Sequence, residues 1–172
     1  LASLRTTAER TDDEWVINGQ KIWTSWGQFS DWCGVLARTD QTVAKHKGIS
    51  AFVVERAGKG FTVGKKEPKL GIRSSSTVQI HLDQVRVPAT NLLGQVNQGF
   101  KVALHTLDGG RIGIACQAQG IMEACLEASI KYAKERKQFD QAIAEFQAIQ
   151  WKLAEMKLRI DAARLLIFRA AS

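Results

Sequence analysis

Hydrophobic positions in this chain follow two different periods. Up to about Leu93 they come in short runs broken by turn residues: EWVIN, KIWTS, DWCGVLAR, ISAFVVE, FTVGKK, TVQIHL and VRVP. Runs of this length, rich in β-branched and aromatic residues, predict antiparallel strands. Asn18-Gly19 separates the first two and is a strong hairpin signal, because a type I′ turn needs positive φ at both central residues. Pro88 and Gly94 then punctuate a change of architecture.

From about Gln98 the spacing becomes helical. Leu104, Leu107, Ile114, Ala118, Ile121 and Cys125 mark one helix. Ile149, Leu153, Met156, Ile160, Ala163, Ile167 and Ala170 mark another, at spacings of four and three that place them on one face. The polar stretch from Glu135 to Gln141 separates the two. At 1.5 Å per residue the second helix is on the order of 40 Å long. Leu158, Leu165, Leu166 and Phe168 widen its apolar surface beyond one stripe, so two helices cannot cover each other. The missing cover is expected from further chain or another subunit, as in a helix bundle. The helical pattern also runs through RAAS without a Gly or Pro stop, which reads as a chain cut within an element. The expected fold class is therefore α+β. An antiparallel β-sandwich or barrel-like domain over residues 1–95 is followed, over 96–172, by two long antiparallel helices of an incomplete four-helix bundle.

Composition narrows the class of partner. No stretch approaches the roughly 20 apolar residues of a membrane span. Cys33, Cys116 and Cys125 are odd in number and lack ligand spacing, which points to free thiols in a reducing compartment. The net charge of +7 favours polyanionic partners, among them nucleic acid, nucleotide cofactors and CoA. The basic residues are interleaved with acids rather than run together, which argues against nucleic acid.

INGQKIWTSWG, LARTD, KLGIRSSST, VRVP, NQGFKVALHTLDGGRIGIA, YAKERKQF and FQAIQ, in this order, resemble the acyl-CoA dehydrogenase family from one end of the chain to the other. Ordered motifs of that extent are more specific than any single short pattern. The resemblance implies a β middle domain followed by part of a C-terminal helical bundle, FAD as cofactor, and a homotetramer or homodimer. It also implies a soluble protein of the bacterial cytoplasm or mitochondrial matrix. The reaction implied is α,β-dehydrogenation of an acyl-CoA thioester to a 2-enoyl-CoA. A Glu removes the α-proton, the β-hydrogen leaves as hydride to flavin, and electrons pass to an electron-transfer flavoprotein. An acyl-CoA oxidase, or a nucleic-acid-binding member of the same fold, are the alternatives.

Carried over residue by residue, Trp23, Thr24 and Ser25 resemble the family's Trp-x-Thr strand, with the ring against the isoalloxazine and Ser25 in the Thr position facing flavin N5. Without the resemblance, an aromatic on a strand reads as core. Arg136, Phe139 and Gln147 match positions at the pyrophosphate and adenosine side of flavin held by a neighbouring subunit. Asp140 stands where the family has Gly. Leu107, Asp108 and Arg111 resemble residues along the CoA pantetheine channel; the plain alternative is an i,i+3 ion pair. Lys45 and His46, followed by Lys47, lie in a loop whose counterpart approaches the CoA adenosine and 3′-phosphate; alone, the loop reads as solvated.

No catalytic residue is assigned. Some relatives place the base immediately before Arg111, where this chain has Gly110, and the commoner position falls after Ser172. The family's Gly-Ser-Asp loop is expected before Leu1. On this reading the chain by itself does not catalyse the reaction. His81 and His105 have no partners for a catalytic or metal role.

Overall fold

The computed structural model describes residues 3–172. The chain divides into two compact units, Leu1–His105 and Thr106–Ser172.

In the first unit seven strands form one sheet: β1 (Thr7–Thr11), β2 (Glu14–Ser25), β3 (Trp32–Arg38), β4 (Ile49–Glu55), β5 (Phe61–Lys66), β6 (Thr77–Pro88) and β7 (Leu92–Leu93). Their order is β5-β6-β2-β1-β3-β4-β7. Every pairing is antiparallel except a single parallel bridge, Thr7 to Arg38, between β1 and β3. The sheet curls on itself. Trp15 on β2 and Phe52 on β4 lie three strand positions apart, about 14 Å in a flat sheet at the usual spacing. Their ring centroids are nevertheless 5.2 Å apart. The concave face encloses Ile17, Val35, Val54, Val78, Ile80 and Val85.

Asn18-Gly19 does not turn the chain. EWVIN and KIWTS are one strand, and the hairpin lies earlier, at Asp12-Asp13, with Asp12 at φ 49°. Asn18 instead faces an irregularity in β6, where Asp83 and Gln84 are inserted between Leu82 and Val85. The Asn18 side-chain carbonyl accepts from the Gln84 backbone N–H at 2.8 Å and so satisfies a donor the bulge would orphan. Gly19, at φ 144°, is required for another reason: a Cβ there would lie 2.7 Å from the Thr6 Cα. TVQIHL and VRVP are likewise one strand, whose alternation resets at the bulge.

In the chain's second half, α1 (Gly99–Glu135) and α2 (Gln147–Ala171) are joined by a hairpin of β8 (Lys137–Gln138) and β9 (Gln141–Ala142). At its tip Phe139 and Asp140 have φ 51° and 63°. Positive φ at both residues of a two-residue loop is the type I′ signature, and Asp tolerates that region better than most residues. Asp140 in place of glycine therefore leaves the turn intact. In the second unit Leu126, Ala133 and Ile160 are buried. Gln119 donates to the Ile160 carbonyl at 3.1 Å, and Glu123 pairs with Arg164. Ile114, Ile121, Trp151, Leu158, Leu165, Leu166 and Phe168 remain exposed. Two helices leave most of their apolar surface uncovered.

Candidate functional site

At the far end of β2 a second bulge sets Ile22 and Trp23 opposite Gln79 alone, between the pairs Lys21–Ile80 and Thr24–Val78. The extra residue forces Trp23 to φ 62°, a left-handed conformation unusual for a large side chain. Its ring is 60% exposed. Ser25 pairs with Thr77. The chain then enters a tight turn, where Trp26 (φ 60°) donates its N–H to the Ser76 carbonyl at 2.9 Å. Gly27 lets this turn settle onto the sheet, since a Cβ would meet the Val78 methyl at 2.9 Å. Strained backbone concentrates at ligand-holding sites, and here it turns an indole outward instead of into the core. The Ser25 hydroxyl beside it is exposed and can donate or accept. An aromatic face and an adjacent hydroxyl fit a planar heterocycle such as an isoalloxazine.

Behind this segment lies a residue that sequence reasoning passed over. Lys21 donates from Nζ to the Leu36 carbonyl at 2.6 Å. Burial lowers its pKa to about 8. Lysine in a strand that otherwise alternates gives no signal of this, because its partner is a carbonyl of β3, a strand not adjacent to β2 in the sheet.

Lys45 and His46 sit in a single 3-10 turn, Lys45–Lys47, with exposed side chains. Arg38 holds the loop by donating to the carbonyls of Lys45 and Asp40, both at 2.9 Å. The His46 ring lies 6.1 Å from that of Phe100. With Asn97 and Lys101 they line a hollow of about 350 Å³. Loop and helix start thus form one basic, partly aromatic pocket, a suitable shape for a phosphate beside a flat ring. Sequence spacing alone, with more than fifty residues intervening, did not associate them.

In the second unit, Asp108 and Arg111 face each other on α1 at 3.8 Å, both largely exposed. At that distance in water the pair contributes little, so both groups stay available to a ligand. Leu107 is exposed beside them. Gly110 has open space where a Cβ would be. At the helix connection, the Arg136 guanidinium makes no hydrogen bond or ion pair within the described residues. Its main chain is fixed: N–H to the Tyr132 carbonyl and carbonyl from the Ile143 N–H, both 2.8 Å. Phe139 is 88% exposed and meets Phe146 edge to face at 6.3 Å. Gln147, the first residue of α2, is exposed. The structure brings Arg136, Phe139 and Gln147 to one helix connection; an unpaired guanidinium beside an open ring is a donor set suited to a pyrophosphate and an adenine.

Residues 1–85 match the model of the acyl-CoA dehydrogenase middle domain, and residues 97–172 that of the acyl-CoA dehydrogenase C-terminal domain. The chain belongs to the acyl-CoA dehydrogenase family. It is 47% identical over 168 residues to a short-chain specific acyl-CoA dehydrogenase of Megasphaera elsdenii, covering 97% of this chain and 44% of that protein. Among solved structures, the butyryl-CoA dehydrogenase of Megasphaera elsdenii superposes with a TM-score of 0.94 at 45% identity, over 98% of this chain and 44% of that one. A structure described as the electron transferring flavoprotein of Acidaminococcus fermentans also superposes at 0.94 and 45% identity, over 99% and 44%. The chain thus spans less than half the length of these relatives.

Proposed function

We propose that the protein to which this chain belongs binds FAD and carries out the α,β-dehydrogenation of an acyl-CoA thioester, passing electrons to an electron-transfer flavoprotein. The observation that carries the proposal is the strand end at Trp23, where a bulge and a left-handed backbone hold an indole outward beside the Ser25 hydroxyl. The match along the whole chain to a short-chain dehydrogenase supports it and favours a short acyl chain, with a butyryl thioester as first choice.

Bound FAD would supply the hydride acceptor. Trp23 would pack against its ring system and exclude water, while Thr24, paired with Val78, would set the register that brings Ser25 to the flavin. The Ser25 hydroxyl, able to donate or accept, would hydrogen-bond to that edge. Arg136, Phe139 and Gln147 hold the pyrophosphate and adenosine of a flavin belonging to a neighbouring subunit, in a homodimer or homotetramer. Leu107, Asp108 and Arg111 line the pantetheine arm, and Lys45 and His46 receive the adenosine 3′-phosphate end of CoA. Gly110 offers no group for proton abstraction, so the base belongs to other parts of the protein. Residues 1–95 act as the flavin- and substrate-facing domain, and 96–172 as part of the helical bundle. No helix among the described residues is long and apolar enough to cross a membrane. Cys33, Cys116 and Cys125 are unpaired, which suits a reducing compartment such as bacterial cytoplasm or mitochondrial matrix.

The test is anaerobic titration of the FAD-loaded full-length protein with butyryl-CoA. Stoichiometric bleaching of the oxidised flavin band is expected, followed by rapid recovery on adding electron-transfer flavoprotein and slow recovery in air. Fast recovery in air would make the protein an acyl-CoA oxidase. Absence of bleaching with short, medium and branched acyl-CoAs would refute the proposal.

A further inference from the structure

The loop between β3 and β4, residues 39–48, carries Lys45 and His46 and is built around one side chain. Arg38, the last residue of β3, is anchored in the sheet: it pairs with Ile49, and its N–H donates to the Thr6 carbonyl at 2.8 Å. Its guanidinium gathers three carbonyls of the loop. Nη1 donates to Lys45 at 2.9 Å, and Nη2 donates to Asp40 at 2.9 Å and to Val43 at 3.2 Å. The Asp40 carboxylate takes no part in this clasp, because the N–H and hydroxyl of Thr42 engage it at 2.8 and 2.7 Å. Among the described residues the guanidinium forms no ion pair with a carboxylate, so its charge stays with the loop.

Such a clasp calls for a fork. A planar guanidinium with donors in fixed directions can meet three carbonyls at once, whereas an ammonium is a compact point charge. Without the clasp, the loop would have to be ordered by the ligand, and every group ordered on binding costs affinity. The opposite wall of the hollow beside His46 is fixed as well. Ser50, fully buried on β4, shares a 2.7 Å hydrogen bond with the Thr39 hydroxyl. Thr39 donates to the Asn97 side-chain carbonyl at 2.7 Å, and the Asn97 N–H donates to the Ser50 hydroxyl at 2.8 Å. This closed ring of three pins the chain just before α1, whose Phe100 and Lys101 line the hollow together with His46 and Lys47. Both walls are therefore set by bonds within the sheet unit, whatever lies against their outer surfaces.

We propose that Arg38 is a positioning residue for substrate selection: by gathering the carbonyls of Asp40, Val43 and Lys45 it holds Lys45 and His46 where they favour acyl thioesters that carry the 3′-phosphate of CoA over those that lack it. The inference rests on the function proposed above and deepens it, since it names the residue that makes the loop selective. Arg38 itself touches no substrate; it acts through the two residues it places. A phosphate monoester carries between one and two negative charges near neutral pH and gains most from cations already in position. Loss of that placement therefore penalises the phosphorylated substrate alone, and the contribution of Arg38 vanishes for a thioester without the phosphate.

The experiment compares butyryl-CoA with butyryl-3′-dephospho-CoA as substrates of the full-length FAD-loaded protein and its Arg38→Lys, Arg38→Met and Lys45→Ala variants. Calorimetric titration with CoA and 3′-dephospho-CoA runs alongside. The parent is expected to favour the phosphorylated form by about tenfold or more, the scale of a charge-assisted hydrogen bond. Both Arg38 variants should lose most of that preference through a raised KM for butyryl-CoA, with kcat and the KM for the dephospho substrate unchanged. Adding Lys45→Ala to Arg38→Met should cost little more, because the two changes remove one contact. A preference retained in both variants overturns the proposal. So does one retained in Arg38→Lys alone, which would make the charge sufficient without the fork, or an equal loss on both substrates, which a merely destabilised sheet would give. A parent that turns over both substrates without preference overturns it too, while the dehydrogenase reading stands. If the parent turns over neither substrate, calorimetry decides: a preference for CoA that the Arg38 variants lose upholds the role of Arg38 while the proposed chemistry fails, and no preference removes both.

Discussion

Trp23 offers a test in which the sign of an effect, rather than its size, decides. Replacing it with alanine removes a ring that is 60% exposed while keeping a side chain at φ 62°. Replacing it with glycine removes the ring and the strain together. The two variants lose the same indole contacts, so their difference isolates the backbone. A non-glycine residue in the left-handed region costs roughly 1–2 kcal/mol. Glycine loses about 0.5–1 kcal/mol more conformational entropy than alanine on folding. The glycine variant should therefore be more stable than the alanine variant by about 0.5–1 kcal/mol, the reverse of the order at a relaxed strand position. Urea denaturation followed by far-UV circular dichroism measures the difference. In the full-length protein both variants should retain less FAD than the parent, because neither carries the ring. An alanine variant as stable as the glycine variant, or more so, would show that the strand end holds no strain and that Trp23 is not held outward at a cost.

Gly19→Ala should destabilise the sheet unit by roughly 2–4 kcal/mol, since the new methyl meets main-chain atoms of Thr6 rather than a movable side chain; the urea midpoint reports it, and a shift of only a few tenths would place Gly19 in a relaxed turn. Lys21 predicts a pH dependence. Its pKa falls from 10.5 to about 8 on folding, chiefly through burial, so the unfolded chain binds more protons between those values. Stability should thus rise with pH from about 8 towards 10.5, the burial penalty being fully present below 8 and relieved above. Lys21→Met should lack that rise, and parallel pH profiles would refute the assignment. Arg136→Ala should weaken FAD binding in the full-length protein by roughly 1.5–3 kcal/mol, the loss of a charge-assisted hydrogen bond. Equal flavin retention by variant and parent on gel filtration across salt concentrations would remove Arg136 from the pyrophosphate.

The two halves of the fold were legible because period two and period 3.6 cannot be confused over long stretches. The errors arose where two strands share an irregularity. Asn18-Gly19 carries the composition of a type I′ turn, yet the same two residues serve a bulge equally well: Asn18 supplies an acceptor for an unpaired amide, and Gly19 allows the backbone of Thr6 to pass close. Only the partners, Gln84 and Thr6, distinguish the two cases, and they are far away in sequence. In β6 the sign of the bulge was present, as Asp83 and Gln84 interrupt the alternation between Leu82 and Val85. A two-residue polar step inside a strand resembles a turn to any local reading.

Candidate site residues divide along the same line. Those within one segment, such as Trp23-Thr24-Ser25 or Asp108 with Arg111, were proposed through the family resemblance, and a single strand or helix turn keeps them neighbours. Groups assembled across the sheet have no such local link. Lys21 owes its environment to the Leu36 carbonyl on β3, and His46 owes its aromatic neighbour to the start of α1.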